Sequence, residues 1–71
     1  MAKKIGEIYA TDFLKLEFEY DTEQLKREAV IVRALWWNSY HGDWESSREH
    51  VFIPLDKIDD VVSMLMKAKS R

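Results

Sequence analysis

The stretch FLKLEFEYD, residues 13–21, alternates without a break. Leu14, Leu16, Phe18 and Tyr20 are separated by Lys15, Glu17 and Glu19. Side chains of an extended chain point alternately to its two faces, so this period of two predicts a strand with one apolar face and one polar face. Just before it, KIGEIYATDF (4–13) carries Ile5, Ile8 and Tyr9 and predicts a first strand, with Gly6 as the mark of a bulge or bend. The next segment, TEQLKREAVIVRALWWN (22–38), admits two readings. Leu25, Ala29, Val32 and Trp36 trace a helical stripe that Thr22 could cap, yet AVIVRALWW is dense in β-branched and aromatic residues, which favour strands. Composition decides for a strand over 28–38, with 21–27 as the hairpin loop. Val30, Val32, Ala34 and Trp36 then share one face, and Ile31, Arg33, Leu35 and Trp37 the other. The wholly apolar face is expected in the core. The face holding Arg33 is expected to look outward and to carry Trp37 with it.

NSYHGD (38–43) has the chemistry of a turn. WESSREHVFIP (44–54) predicts a fourth strand in which Trp44, Ser46, Arg48, His50 and Phe52 share a parity, and Pro54 ends it because proline has no N–H to donate. LDKIDDVVSMLMKAKSR (55–71) reads as a helix. Asp56 is the expected N-cap, Asp59 and Asp60 suit the positive end of the helix dipole, and Lys67, Lys69 and Arg71 suit the negative end. Ile58, Val61, Val62, Leu65 and Ala68 form the apolar stripe, and Met64 and Met66 widen it beyond what one sheet face needs. The expected fold is therefore α+β, one ββββα domain spanning 1–71. A four-stranded antiparallel meander is covered on one face by the helix and bare on the other.

Size then bears on assembly. A chain of 71 residues buries only about 60% of the surface its unfolded form exposes and is marginal alone. There is no cysteine, so neither a disulfide nor a thiolate metal site can staple it. Self-association is the staple left, and Val61, Met64 and Ala68 on the broad helix stripe are the expected homodimer contacts. No signal sequence and no apolar run of about 20 residues for a membrane span is visible, so an intracellular protein is expected, in the cytoplasm, nucleoid or nucleus.

Charge narrows the partners. The formal charge is −2 and the isoelectric point about 5.6, which argues against coating duplex DNA by charge alone. Single-strand binding remains open, because bases stack on aromatic rings. LWWNSYHGDW (35–44) holds three tryptophans and a tyrosine. Arg33 with Trp37, and Trp44 with Arg48, repeat an aromatic–basic pair on neighbouring strands, and Tyr40 and His41 lie in the loop between. Such pairs suit base and phosphate, or equally the core of a protein interface. No nucleophile–base pair and no Gly-rich phosphate loop occurs, so an enzyme is not expected, nor a cofactor or small-molecule substrate. His41, Asp43 and His50 match no standard metal-ligand spacing.

The order of these segments resembles the fold shared by the purine-rich-element-binding (PUR) proteins and the positive-cofactor-four type transcriptional coactivators. Three stretches carry the resemblance: IGEIYATDF as an opening strand, VIVRALWW as the strand that supplies aromatic and basic contacts, and GDWESSREHVFIPLDKIDDVVSMLMKA as the junction from fourth strand to helix. The resemblance implies a homodimer that binds single-stranded DNA or RNA on its sheet surface. Phe13 would match a stacking aromatic of the first hairpin, Trp36 or Trp37 the strand-three aromatic, and Arg48 the basic residue after the Gly-acid turn. The expected nucleic-acid contacts are thus Phe13, Lys15, Arg33, Trp37, Tyr40, Trp44 and Arg48. Two departures stand out, the acidic loop at 21–27 and SSREH where a more basic segment is expected. They leave room for a second reading, a small homodimeric interaction or regulatory module that binds protein.

Overall fold

The computed structural model describes residues 2–23, 26–48 and 50–70. Its elements are β1 (Lys3–Thr11), β2 (Leu14–Asp21), β3 (Ala29–Asn38), β4 (Asp43–Ser46), β5 (Val51–Pro54), a 3-10 turn (Leu55–Lys57) and α1 (Ile58–Lys69). The alternating segment is β2, and it pairs along its whole length with β3, from Leu14 opposite Trp36 to Asp21 opposite Ala29. β1 pairs antiparallel with the other side of β2, with irregularities between Lys4 and Gly6 and between Tyr9 and Thr11. The first of these sits where Gly6 predicts one.

The expected fourth strand is broken in two. β4 pairs with the C-terminal part of β3, Trp44 opposite Trp37, and β5 with its N-terminal part, Phe52 opposite Ile31. Between Ser46, opposite Leu35, and Val51, opposite Val32, four residues face two in β3. The surplus is even, so parity survives, and Trp44 and Phe52 still share a face. Arg48 and His50, however, leave the ladder. From Ser46 to Glu49 the chain has no apolar side chain to anchor it on the sheet. Ser47 stays tied to β3, its N–H donating to the Ala34 carbonyl at 3.0 Å.

The helix expected over 55–71 opens as a 3-10 turn, and its α-helical part runs from Ile58 to Lys69. Asp56 does not cap it, since neither element has a side-chain cap. The Asp56 carboxylate instead pairs with the Arg27 guanidinium from the β2–β3 loop. Lys67 and Lys69 occupy the last turn as expected, and Arg71 lies outside the described residues.

Register divides the sheet into two faces. Leu16, Phe18, Val30, Val32, Ala34, Trp36 and Ile53 share the helix face. There Phe18, Val30, Val32 and Ile53 join Ile58 and Val61 in lining an apolar cleft of about 310 Å³. No residue of α1 is buried. Val62, Met64, Leu65 and Met66 are 49–65% exposed. The two layers therefore touch loosely.

The buried residues lie on the other face, against expectation. Ala29 (1% exposed), Ile31 (2%), Asp21 (4%) and Lys15 (8%) all take the parity of Arg33. Long side chains span this face. Tyr9 on β1 and Trp44 on β4 have ring centroids 5.9 Å apart, although their backbones are three strand spacings, about 14 Å, apart in the sheet, and the two rings cover Lys15. Toward the other end, Ile31 lies between Glu19 on β2 and Phe52 on β5, beside the Arg33–Glu19 pair. Trp36, expected in the core, shares the helix face but is 42% exposed. β5 delivers the chain to α1 at the opposite end of β3, beside Ala29, so the helix covers Val30 and Val32 and stops short of Trp36.

Candidate nucleic-acid interface

Aromatic rings collect at one end of the sheet. The β1–β2 turn, the C-terminal end of β3 and the β3–β4 turn meet there, because β2 begins opposite Trp36 and β4 begins opposite Asn38. Phe13 sits in the first turn. Its N–H donates to Thr11 Oγ1 at 3.1 Å, and its carbonyl accepts the Trp37 N–H at 2.8 Å. These bonds tie the turn to β3 and leave the ring outside, 64% exposed. In the second turn, Asn38 Oδ1 accepts the N–H groups of Tyr40 (2.9 Å) and His41 (3.2 Å). The Asn38 carbonyl accepts Gly42 N–H at 2.8 Å, and Gly42 closes the turn at φ +66°, a left-handed conformation that glycine adopts without strain. This frame holds Tyr40 out at 92% exposure, edge-on to His41 at 5.5 Å.

The face opposite the helix, the aromatic face, carries the rest of the expected site. Trp37 and Trp44 are a cross-strand pair with centroids 5.6 Å apart at 70°. Tyr9 meets Trp44 from the far side at 69°. Edge-to-face geometry places the positive ring edge against a negative ring face, which contributes roughly 0.5–1.5 kcal/mol per pair beyond area. Tyr9 itself is 57% exposed. It was not among the expected contacts, although its pairing with Lys15 follows once the irregularity at Ile5 shifts the register by one.

The expected cations are arranged differently from the expectation. Lys15 lies beneath the rings, its Nζ 4.6 Å from the Trp44 centroid and 5.5 Å from that of Tyr9, and 3.2 Å from Glu7 Oε2. Lys4 Nζ spans Glu7 (3.0 Å) and Glu17 (3.5 Å). The hydrogen bond from Lys4, and next that from Lys15, hold the Glu7 carboxyl below its ordinary value of 4.5, and the same bond to Glu7 raises Lys4. Arg33 Nε lies 2.7 Å from Glu19 Oε1, at an angle that makes an ion pair and leaves the buried Nε–H without a hydrogen-bond partner. Arg48 is exposed in the break between β4 and β5, with no ion pair among the described residues. So the structure brings Lys15, Arg33, Trp37 and Trp44 to one face, puts Phe13 and Tyr40 on its rim, and sets Arg48 aside.

Of the expected dimer contacts, Val61 turns toward its own sheet and lines the cleft, while Met64 is 60% exposed and Ala68 is also exposed. Among the described residues no group of three His, Cys, Asp or Glu side chains could hold a metal, and no helix is long and apolar enough to cross a membrane. No family model, curated protein or solved structure matches the chain.

Proposed function

We propose that this protein binds single-stranded nucleic acid as a homodimer, in the manner of the PUR and positive-cofactor-four type proteins its sequence resembles, and that it is not an enzyme. The observation that carries the reading is the aromatic rim. Tyr9, Phe13 and Tyr40 stand 57%, 64% and 92% exposed around the Trp37–Trp44 pair, at one end of a rigid sheet. Exposed rings are costly in water and suit the flat faces of unpaired bases, each worth roughly 1–3 kcal/mol when stacked. A protein with this role works where such strands are found, in the cytoplasm, nucleoid or nucleus.

The dimer rests on surface arithmetic. A compact monomer of 8.5 kDa exposes about 4,700 Å², whereas this chain exposes 5840 Å². Its radius of gyration is 13.8 Å against about 11 Å for a compact chain of this length. The excess, roughly 1,000 Å² per copy, is of the size that stable homodimers bury, and the exposed Met64, Leu65 and Met66 are the apolar surface available for it.

The test is tryptophan fluorescence. Single-stranded oligonucleotide should quench the emission, and duplex of the same sequence should do so far less because its base faces are hidden. Equal response to both, or none to either at low salt, would overturn the proposal. A second reading, a dimeric module that docks another protein, is favoured by one observation. The ion-paired cations of the aromatic face leave it with little attraction for phosphate. An unchanged emission spectrum in every oligonucleotide titration would select that reading.

A further inference from the structure

We infer that the aromatic rim recognises the bases of its ligand and is nearly indifferent to the charge of the backbone that carries them. The inference rests on the single-strand reading above and specifies its ligand: a base-bearing strand, whether or not it has phosphates.

Phosphate recognition needs cations that can turn toward the ligand, and on this face they are already committed. Lys4 is held by Glu7 and Glu17, Lys15 by Glu7 and Arg33 by Glu19. Three cations face three carboxylates, and the buried Asp21 adds a fourth carboxylate to the same face, so the face has no positive charge to offer. Lys15 is the most deeply committed. It is 8% exposed, and its ammonium lies over the rings of Trp44 and Tyr9. Drawing it out to a phosphate would break the Glu7 pair, empty the space beneath two rings and remove the attraction between the cation and their negative faces. Lys15 is therefore a positioning residue that sets the angle of Trp44 and Tyr9, not a backbone contact. Arg48, set apart in the break between β4 and β5, is an exposed cation without an ion pair among the described residues. At most about one phosphate is then neutralised per copy, and log K should fall with log salt at a slope of about 0.7. Stacking, by contrast, uses ring faces that are exposed and needs no ion pair to open.

The experiment titrates the full chain, followed by tryptophan emission, with a short oligothymidine and with the same base sequence on an uncharged peptide backbone, each at two salt concentrations. Affinities within about threefold of each other, and a salt slope near 0.7 for the charged strand, are expected. A loss of tenfold or more on the uncharged backbone, or a slope of about 2 or steeper, would overturn the inference while leaving single-strand binding intact. If neither strand binds, the single-strand reading itself fails and the inference falls with it. Lys15→Met supplies a second readout. It should change the near-ultraviolet circular dichroism of the unliganded protein and weaken both strands equally, with the slope unchanged. A slope reduced by about 0.7 with the dichroism unaltered would place Lys15 on a phosphate and refute its positioning role.

Discussion

Replacing Trp36 by alanine tests where the core of this fold lies. If the helix face were a closed core, the substitution would cost about 3–5 kcal/mol, as for other large aromatic side chains removed from interiors. The ring is 42% exposed, so a little under three fifths of it is withdrawn from water, which scales the expectation to about 2–3 kcal/mol. In a chain this short each kcal/mol moves the melting temperature by about 4–8 °C. The assay is urea unfolding at a fixed chain concentration, with Ile31→Ala as the comparison. Ile31 is 2% exposed on the aromatic face and should cost at least as much despite its smaller volume, about 2–5 kcal/mol. A Trp36→Ala loss above about 4 kcal/mol, or one that exceeds Ile31→Ala, would show that the interior lies beneath the helix after all. A loss below about 1 kcal/mol would show that Trp36 packs on nothing.

Three further outcomes follow from the geometry. Met64→Glu places a charge at a position 60% exposed in one copy, which should cost under about 0.5 kcal/mol to a monomer yet weaken a dimer sharply; sedimentation should show the variant dissociating, and a wild type that sediments as a stable monomer would remove the premise. Glu7, whose folded carboxyl lies below 4.5 because of its bonds to Lys4 and Lys15, contributes stability that is present above that value and lost as pH falls through the folded one; the aromatic dichroism should persist from neutrality down to 4.5 and fade only below it, and fading already above that value would point to another group. Gly42→Ala should destabilise by about 1–2 kcal/mol, because φ is +66° and a methyl there meets no atom within 4 Å, leaving backbone strain as its cost in chemical denaturation.

The strands and the helix were legible because their signals are local. Leu14 to Tyr20 alternate, and the Asp and Lys clusters mark the helix ends. The break at Ser47–His50 was not, since SSREH has neither glycine nor proline to mark it, and a stretch without apolar side chains reads equally as a solvent-facing piece of strand. The facing of Trp36 and Trp37 was readable from parity alone, and register bears it out. Which face is buried was not readable. That depends on the reach of Tyr9 to Trp44 across two strands and on where β5 releases the helix, both long-range consequences. The same holds for the site. Trp37 and Trp44 meet as strand order predicts, but the pairing of Lys15 with Glu7 and of Arg33 with Glu19 requires the register of β1 on β2 and a diagonal step between β3 and β2.

The broken fourth strand has a consequence for behaviour at high concentration. A sheet edge with a long, even row of free N–H and C=O groups templates further strands and so seeds fibrils. Here one edge is split between β4 and β5 at residues 47–50, and the other, β1, is irregular at two places along its nine residues and begins with Lys3 and Lys4. An incoming strand could align with only about four residues before losing register on the split side. Growth by strand addition is thereby discouraged at both margins of the sheet. In the dimer proposed above, the apolar surface of the helix layer would then close between a pair of molecules rather than extend into an open-ended polymer.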